Sequence, residues 1–164
     1  MNKSKKQEDP ISLRPLDITD LELMYEWRNE PFIVEFSTSR KEVSLEEHCL
    51  WFENSLKNKD RMIYIVLHNE KPIGQIRYDK DNDEDIIISA YLSSSYTSKG
   101  YGIEAINKGN ELIKNVWNNV NIIAQVRVEN KRAINGFSHA GFIQTGRKII
   151  SNMEHVCFIL PHVN

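Results

Sequence analysis

The most informative part of the 164-residue sequence reads Tyr91-Leu92-Ser93-Ser94-Ser95-Tyr96-Thr97-Ser98-Lys99-Gly100-Tyr101-Gly102-Ile103-Glu104-Ala105. In this segment an apolar strand ends, a polar loop containing glycine follows, and a helix begins. That order places the unpaired backbone N–H groups of a helix N-terminus beside a loop, and the helix dipole favours an anion there. Gly100 and Gly102 let the backbone approach a phosphate closely, and Lys99 adds a positive charge. The segment predicts a phosphate-binding loop, and a tight turn without a ligand is the alternative that spacing alone leaves open.

The glycine pattern excludes two familiar phosphate-binding motifs. A P-loop would end in Gly-Lys followed by Ser or Thr, and this loop does not. A dinucleotide-binding fingerprint needs a third glycine and a first strand–helix unit, and both are missing here. The loop is therefore neither of these motifs.

Around this loop, the spacing of apolar residues predicts an α/β domain. Runs rich in Val, Ile and Tyr predict strands over 11–16, 62–68, 72–78, 85–92, 121–128, 142–150 and 155–160. Helical spacing predicts helices from a cap at Asp17 or Thr19 to Trp27, from a Ser44–Glu47 capping box to about Lys57, after Gly102, and over 131–139. Pro31 predicts the end of the first helix or a turn just beyond it, and 79–83 reads as a polar loop. These elements predict one mixed sheet with helices on both faces.

Length and composition predict a single domain, residues 11–164, behind a flexible polar tail, residues 1–10. The lysines of the tail have no apolar run behind them, so the tail is not a secretory signal. No window approaches the roughly 18 apolar residues of a transmembrane helix, and a net charge of −2 without a basic block argues against nucleic-acid binding. We therefore expect a cytoplasmic protein with no membrane or nucleic-acid partner. Cys49 and Cys157 lie in apolar contexts, at no spacing typical of a metal site.

The predicted helix after Ser44 divides into two stripes. Leu45, Cys49, Phe52 and Leu56 fall on one stripe, which we expect to face the core, and His48, Trp51 and Ser55 fall on its neighbour. An imidazole beside an indole is suited to bind a base and a sugar, because aromatic faces stack on uracil and histidine offers a hydrogen bond. A half-buried packing pair is the alternative. Arg28 is either a ligand contact or a partner of the dipole at its helix C-terminus.

Two motifs resemble the GNAT superfamily of acetyltransferases. The coenzyme A motif of that family reads Arg or Gln, two residues, Gly, one residue, then Gly or Ala, after a central strand, and Thr97-Ser98-Lys99-Gly100-Tyr101-Gly102 occupies it here. Thr97 replaces the usual Arg or Gln, and Ser98 replaces a frequent Gly. Because these contacts are largely with the backbone in the family, we expect binding to survive both changes.

A second segment, Glu129 to Phe142, resembles the family pattern in which Asn starts a helix beside coenzyme A and Gly-Phe ends it. Asn130 is a good N-cap and Gly141 a good C-terminal stop in their own right. The resemblance implies a GNAT fold with one central mixed, mostly antiparallel sheet of about seven strands, and acetyl-coenzyme A as co-substrate without a metal. It implies coenzyme A contacts at Tyr91, Leu92, Thr97, Ser98, Lys99, Gly100, Tyr101, Gly102, Ile103, Asn130, Ala133 and Phe137.

Phe137 departs from the family at a position that matters for chemistry. Many members carry a tyrosine there, which protonates the leaving coenzyme A thiolate, and phenylalanine has no proton to give. A thiolate with a solution pKa near ~8.5 is already a fair leaving group. We expect water, another residue, or Tyr96 or Tyr101 to assist its departure.

The front helices resemble a particular branch of the family. The Trp-Arg-Asn sequence ending at Asn29, followed by a Ser-Leu-Glu-Glu-His helix, is similar to the nucleotide-sugar N-acetyltransferases of the pseudaminic acid pathway. This resemblance implies that Arg28 and His48 hold the nucleotide of a UDP-linked 4-amino sugar, with Trp51 alongside and Tyr91 close to the sugar. The acceptor implied is a small-molecule amine.

The expected reaction is direct transfer, in which a neutral amine attacks the thioester while both substrates are held in one cleft. A backbone N–H near Leu92 would polarise the carbonyl oxygen. Glu129 and His48 are the candidates for the catalytic base, although a solvated carboxylate at a strand end is the plainer interpretation of Glu129.

Several alternatives remain open from the sequence. One is acetylation of a protein N-terminus or a ribosomal protein. Aminoglycoside modification would need a strongly acidic cleft, and the acidic cluster over 79–85 reads as a solvated loop. The substitution at Phe137 keeps a non-catalytic acyl-coenzyme A sensor possible. The protein is expected to be a monomer or a homodimer, in which an exposed last strand would pair with a second copy.

Overall fold

The computed structural model describes residues 10–163, so the tail predicted over 1–10 lies, but for Pro10, outside the described residues. Its strands are β1 (Ile11–Pro15), β2 (Arg61–His68), β3 (Lys71–Lys80), β4 (Asp85–Leu92), β5 (Asn121–Arg127), β6 (Ile143–Ile150) and β7 (Met153–Leu160). Its α-helices are α1 (Leu21–Arg28), α2 (Pro31–Phe36), α3 (Leu45–Lys57), α4 (Tyr101–Val116) and α5 (Lys131–His139). Short 3₁₀ turns over Ile18–Asp20 and Ser94–Tyr96 precede α1 and α4.

The strands of residues 10–163 form one seven-stranded sheet in the order β1-β2-β3-β4-β5-β7-β6. The strands β4 and β5 run parallel, and the other neighbouring strands run antiparallel. The expectation of a mixed, mostly antiparallel sheet of about seven strands is confirmed. A helix, α4, connects the parallel pair, as a parallel connection requires.

Helices cover both faces of the sheet, as expected. One core packs the sheet against α4 and α5 and contains Tyr78, Ile113 and Phe137. A smaller core on the opposite face packs α1 and α3 against β2 through Met24, Phe52 and other apolar side chains. We call this second side of the sheet the front face. Burial of both apolar faces, at about 25 cal/mol per Å², is the main force that holds the layers together.

Helix α4 lies unusually close to β3. A Cβ atom at Gly109 would lie 2.6 Å from the Tyr78 hydroxyl, so this helix position has room only for glycine. The hydroxyl of Tyr78 donates a 2.7 Å hydrogen bond to Asn110 Oδ1, and both residues are buried. The glycine and the hydrogen bond together fix the distance between α4 and the sheet.

Substituting Tyr78→Phe is expected to lower the free energy of unfolding by about 1–3 kcal/mol, because the buried Asn110 amide oxygen loses its donor. Urea denaturation measures the change. Tyr64→Phe is the matched control, since Tyr64 is also buried but no hydrogen bond of its hydroxyl occurs within residues 10–163. Equal losses for the two variants would show that the Tyr78 hydrogen bond contributes nothing specific.

The segment at Pro31 differs from the prediction. Instead of ending a helix or forming a turn, Pro31 begins a second short helix, α2, at its first position. Proline is suited to that position because the N–H it lacks would be unpaired there. The structure therefore has a helix between α1 and α3 that was not predicted from the sequence.

The stripe of α3 predicted to face the core was wrong. Leu45 and Leu56 are 52% and 41% exposed, whereas Phe52 is buried as expected. The buried stripe instead contains His48, Phe52 and Ser55, at the helical spacing of four and three residues. The Ser44 cap is confirmed, because its Oγ accepts from the Glu47 N–H at 3.1 Å. The prediction from apolar residues was wrong because the polar side chains of His48 and Ser55 form hydrogen bonds in the interior.

Two further boundaries differ. Strand β3 continues through Asp79 and Lys80, where a loop was predicted, because Asp79 is held by arginines of the sheet. The last strand, β7, is not an edge: it lies between β5 and β6, and β6 forms the edge. The predicted pairing of the last strand with a second copy is therefore wrong.

Among residues 10–163, no helix is both long enough and apolar enough to span a membrane.

Candidate acetyl-coenzyme A site

The central feature of the site is a wedge between β4 and β5. The two strands pair from Asp85–Asn121 through Ile88–Ala124 and then part. Beyond that point β4 pairs with β3 as far as Leu92, and β5 pairs with β7 as far as Arg127. The backbone of β4 beyond Ile88 is therefore not paired with β5.

Gly74 of β3 lies against the end of β4, on the side away from the wedge. It pairs with Leu92, and a Cβ atom there would lie 2.3 Å from the Tyr91 carbonyl oxygen and 2.8 Å from Leu92 Cα. The next residue, Ser93, donates its N–H to the Ile73 carbonyl at 2.7 Å. Strand β3 thus holds the end of β4 in place where it leaves β5.

The predicted loop leads directly from the wedge into α4. Ser98 and Gly100 adopt positive φ angles of 63° and 79°, and α4 begins at Tyr101. Within the described chain no side chain caps this helix. Its first N–H groups, on Tyr101, Gly102 and Ile103, therefore point away from the helix and are available to an anion.

Lysines and aromatic rings surround this helix end. The ammonium groups of Lys71 and Lys99 lie 5.7 and 5.9 Å from the centre of the Tyr96 ring. The His68 ring lies 4.6 Å from the Tyr101 ring. Lys99 was predicted to face the ligand, whereas Lys71 was not recognised, because only the pairing of β3 with β4 brings its hairpin to the loop.

Glu30 ties the front helices to the loop. Its carboxylate accepts from Ser93 Oγ at 2.7 Å, from the Ser94 N–H at 3.0 Å and from Ser94 Oγ at 3.1 Å. These contacts span more than sixty residues of sequence, and no pattern in the sequence indicates them. Glu30 thus positions the segment that links the wedge to α4.

Substituting Glu30→Ala is expected to raise the KM for acetyl-coenzyme A about tenfold, because the Ser93–Ser94 segment loses three hydrogen bonds to a charged group, each worth up to about 1.5–3 kcal/mol when buried and less here. Initial rates at varied acetyl-coenzyme A measure the change. Glu30→Gln should give an intermediate KM, since one amide oxygen replaces two carboxylate oxygens. An unchanged KM in both variants would show that the tether does not position the loop.

Helix α5 follows β5, the other strand of the wedge, and has the predicted caps. The side chain of Asn130 accepts from the Ala133 N–H at 3.2 Å and caps the N-terminus. The N–H of Gly141, a residue with a φ of 89°, donates to the Ser138 carbonyl, and the N–H of Phe142 donates to the Phe137 carbonyl. These two bonds form the Schellman arrangement of a glycine-terminated helix.

Phe137 lies in the core rather than at an open surface. It is 6% exposed, and its ring centre lies 5.1 Å from Phe142 and 6.3 Å from Phe158. The side chain packs α5 against the sheet, and a phenylalanine has no proton to transfer. A direct contact between Phe137 and coenzyme A stays a prediction.

Arg28 and Asn29 secure the loop between α2 and α3. Arg28 donates to the Lys41 carbonyl at 3.2 Å and to Ser39 Oγ at 3.3 Å. Asn29 exchanges two hydrogen bonds with the backbone of Val43, at 2.8 and 3.0 Å. The predicted role of Arg28 as a nucleotide contact remains a prediction, and its guanidinium already has partners in the loop.

His48 is buried between α1 and α3. Its Nε2 lies 2.8 Å from the Leu21 carbonyl oxygen, so this nitrogen carries the proton. The ring stacks on Trp51 at 5.9 Å and also contacts Tyr25. Burial lowers the pKa of His48, the Leu21 hydrogen bond opposes that shift, and the neutral form is favoured. These contacts favour a packing role, and action as a base or nucleotide contact stays a prediction.

The front face carries a polar cluster that the sequence reading did not find. Arg61 and Arg77 both bond to Asp79, and their guanidinium carbons lie 5.6 and 5.8 Å from the centre of the Trp51 ring. Arg61 also donates to Ser55 Oγ at 3.0 Å. We call Trp51, Arg61, Arg77 and Asp79 the front cluster. Its charged residues come from the paired strands β2 and β3 and Trp51 comes from α3, and that arrangement could not be predicted from sequence spacing.

Tyr91 lies beside the wedge, on the front face. Its ring packs edge-on against Trp27 at 6.4 Å. Burial raises the pKa of Tyr91, and the nearby Arg77 and Arg28 oppose that shift. Its hydroxyl is therefore protonated at neutral pH and able to donate a hydrogen bond. From the sequence, Tyr91 is predicted to lie close to the sugar of the amine substrate.

Glu129 follows the end of β5 and is largely exposed. Its carboxylate lies 3.4 Å from Nε of Arg127, whose own side chain is buried and donates to the Glu35 carbonyl of α2. A hydrogen bond to its own backbone N–H lowers the pKa of Glu129, partly offset by desolvation, and Arg127 adds to the lowering. A lowered pKa makes Glu129 a weaker base, and its catalytic role stays a prediction. Within residues 10–163, no group of three His, Cys, Asp or Glu side chains is arranged to hold a metal ion.

Sequence comparison identifies the family. A family profile described as an acetyltransferase (GNAT) domain matches residues 11–143. An uncharacterised protein of Methanocaldococcus jannaschii is 25% identical over 145 residues, which are 85% of this chain. The chain spans only 29% of the length of that relative.

Solved structures with the same fold include enzymes that bind coenzyme A. The aminoglycoside acetyltransferase AAC(6′)-Ib, in complex with ribostamycin and coenzyme A, is 25% identical with a TM-score of 0.82, over 93% of this chain and 94% of that one. The spermidine N-acetyltransferase of Vibrio cholerae, in complex with coenzyme A and spermine, is 17% identical with a TM-score of 0.83, over 93% and 95%. The second likeness concerns the fold alone.

Proposed function

The chain belongs to the GNAT acetyltransferase family, and from that membership we propose that it transfers an acetyl group from acetyl-coenzyme A to a primary amine of a small molecule. A UDP-linked 4-amino sugar is the proposed acceptor. A cytoplasmic location belongs to the same proposal. The observation that carries the transfer reaction is the wedge between β4 and β5, which opens directly onto the uncapped N-terminus of α4.

The residues around the wedge suit two parts of acetyl-coenzyme A, the pyrophosphate and the pantetheine chain. The N–H groups of Tyr101, Gly102 and Ile103 and the positive charge of Lys99 suit a pyrophosphate. A Cβ at Gly100 would meet no atom within 4 Å, so that surface of the loop is open to a ligand. The exposed edge of β4, up to Leu92, suits the amide groups of the pantetheine chain, which pairs with backbone as another strand would.

The proposed chemistry is a direct displacement at the thioester. The neutral amine nitrogen forms a bond to the acetyl carbon, the carbon–sulfur bond breaks, and coenzyme A leaves as a thiolate. The amine loses one proton to solvent, and the thiolate takes one up. Holding both reactants in the wedge supplies the largest part of the acceleration, since good orientation is worth about 7–11 kcal/mol. In this proposal the protonated hydroxyl of Tyr91 donates a hydrogen bond to the amine acceptor.

The acceptor proposal rests on the front helices. Trp51 offers a half-buried aromatic ring on the front face, and Tyr91 packs against the same apolar core. A ring of this kind suits a base or a sugar. The likeness to AAC(6′)-Ib makes an aminoglycoside the second candidate, since that enzyme was solved with ribostamycin.

A release assay for free thiol tests the proposal with acetyl-coenzyme A and a panel of acceptors: a UDP-linked 4-amino sugar, kanamycin, spermidine and an N-terminal peptide. Thiol release with the UDP-amino sugar, and a product heavier by one acetyl group in mass spectrometry, is the expected result. Turnover of kanamycin or the peptide alone would overturn the acceptor proposal and leave the transferase proposal standing. Binding of coenzyme A without turnover of any amine would favour a sensor, for which the absence of a tyrosine at Phe137 provides the reason.

A further inference from the structure

We infer that Arg77, supported by Arg61 and the ring of Trp51, binds a phosphate group of the amine acceptor. This inference rests on the proposed function, because it assigns the part of the acceptor that does not react. It predicts a preference for phosphorylated amines over polycationic ones.

The front cluster carries more positive than negative charge. Asp79 accepts from Nε of Arg77 at 2.8 Å and also from Nε of Arg61, so a single carboxylate serves two guanidinium groups. Arg77 further donates to Ser89 Oγ at 3.4 Å, a neutral group. Burial lowers the pKa of Arg77, the charge of Asp79 opposes that shift, and the neighbouring charge of Arg61 adds to it. One positive charge therefore remains uncompensated in a partly buried place, where an anion is attracted more strongly than in water.

The strand register places this charge next to the wedge. Ile63, Arg77 and Ser89 form one row across β2, β3 and β4, and the adjacent row ends at Tyr91. Side chains in adjacent rows on one face lie about 7 Å apart. Tyr91 belongs to the part of β4 that has left β5. A molecule that reaches from the wedge across Tyr91 therefore meets Arg77 next.

The cluster is also accessible. The side chains of Arg61, Arg77 and Asp79 are 21%, 26% and 25% exposed, so each keeps a surface open to solvent. The guanidinium of Arg77 uses Nε and one terminal nitrogen in the bonds described above. Arginine binds phosphate through paired N–H groups, and a planar group stacked against an aromatic ring is well oriented for this.

The charges on the surrounding elements favour an anion as well. The charge of Arg28 in α1 also acts on Tyr91, and the carboxylate of Glu30, which acts on it in the opposite sense, is bound to Ser93 and Ser94. A polycation such as spermidine or kanamycin would need carboxylates in these places. A phosphate-bearing amine instead complements the surplus charge.

Isothermal titration tests the inference on protein saturated with coenzyme A, which keeps phosphates away from the α4 N-terminus. The probes are UDP, inorganic pyrophosphate and uridine. We expect UDP and pyrophosphate to bind and uridine not to bind, with affinity falling as sodium chloride rises. If uridine binds as well as UDP, or if neither phosphate binds, the inference is wrong.

Variants separate recognition from support of the fold. Arg77→Gln should weaken UDP at least tenfold and leave the Kd for coenzyme A unchanged, whereas Arg77→Lys should lose less. Arg147→Gln is the matched control, since it removes an exposed arginine of β6 paired with Glu154, and it should change neither affinity. If Arg77→Gln does not fold, the unmodified protein still tests the inference through the salt dependence of UDP binding and the preference for UDP and pyrophosphate over uridine. Fast turnover of spermidine without affinity for UDP would overturn the inference but not the acetyltransferase proposal. UDP binding without turnover of any amine would overturn only the latter.

Discussion

Substituting Gly102→Glu is expected to weaken acetyl-coenzyme A binding roughly a hundredfold or more without unfolding the protein. Gly102 is the second residue of α4, and its N–H is one of those proposed to hold the pyrophosphate. A carboxylate there opposes the phosphates. Two like charges about 4 Å apart repel by about 4 kcal/mol at an effective dielectric constant of about 20, and about 1.4 kcal/mol is a tenfold change in affinity. Titration calorimetry with acetyl-coenzyme A measures the loss.

The fold should tolerate this change, which makes the experiment specific. A Cβ at Gly102 would lie 3.9 Å from Leu92 Cδ1, an ordinary contact. Glutamate is a better helix former than glycine and suits a helix N-terminus, so the variant should be as stable as the original protein or more so. Gly102→Gln is the matched control and should lose less than tenfold. Equal losses for Glu and Gln would show that the effect is steric, and no loss for either would place the ligand elsewhere.

Substituting Gly74→Ala is expected to destabilise the fold by about 3 kcal/mol. The added Cβ would lie 2.3 Å from the backbone oxygen of Tyr91 and 2.8 Å from Leu92 Cα, so β3 and β4 must separate. Overpacking of this kind typically costs about 1–3 kcal/mol, and a clash with backbone lies at the upper end because the backbone cannot rotate away. Urea denaturation measures the cost.

Gly136→Ala provides the matched control in the same protein. Gly136 lies inside α5, and an added Cβ would meet no atom within 4 Å. Because alanine is a better helix former than glycine, this variant should gain about 0.5–1 kcal/mol. A loss of less than about 1 kcal/mol for Gly74→Ala would contradict the tight strand pairing described for the end of β4.

The sequence predicted local structure well where local chemistry decides it. The bounds of β4 and α5 are as predicted, and the Asn130 and Gly141 caps follow from side chains that act within a few residues. The glycine loop and the helix after it were found for the same reason. The Phe137 position was recognised only through resemblance to a family.

Features that depend on strand pairing were not predicted from the sequence. The front cluster needs the pairing of β2 with β3 that places Arg61 opposite Asp79, and the Glu30 tether joins segments distant in sequence. The α3 stripe was assigned by hydrophobicity, yet His48 and Ser55 are buried because the Leu21 and Trp51 carbonyls accept their hydrogen bonds. Burial of polar residues follows from partners that only the fold supplies.

The central claim is that the wedge between β4 and β5 and the N-terminus of α4 hold coenzyme A. Titration of ¹⁵N-labelled protein with coenzyme A, followed by amide NMR spectra, tests it most directly. We predict the largest shifts at the amides of Tyr101, Gly102 and Ile103 and along β4 near Leu92, with saturation at one equivalent. Shifts confined to other parts of the sheet, or no saturable shift at all, would contradict the account.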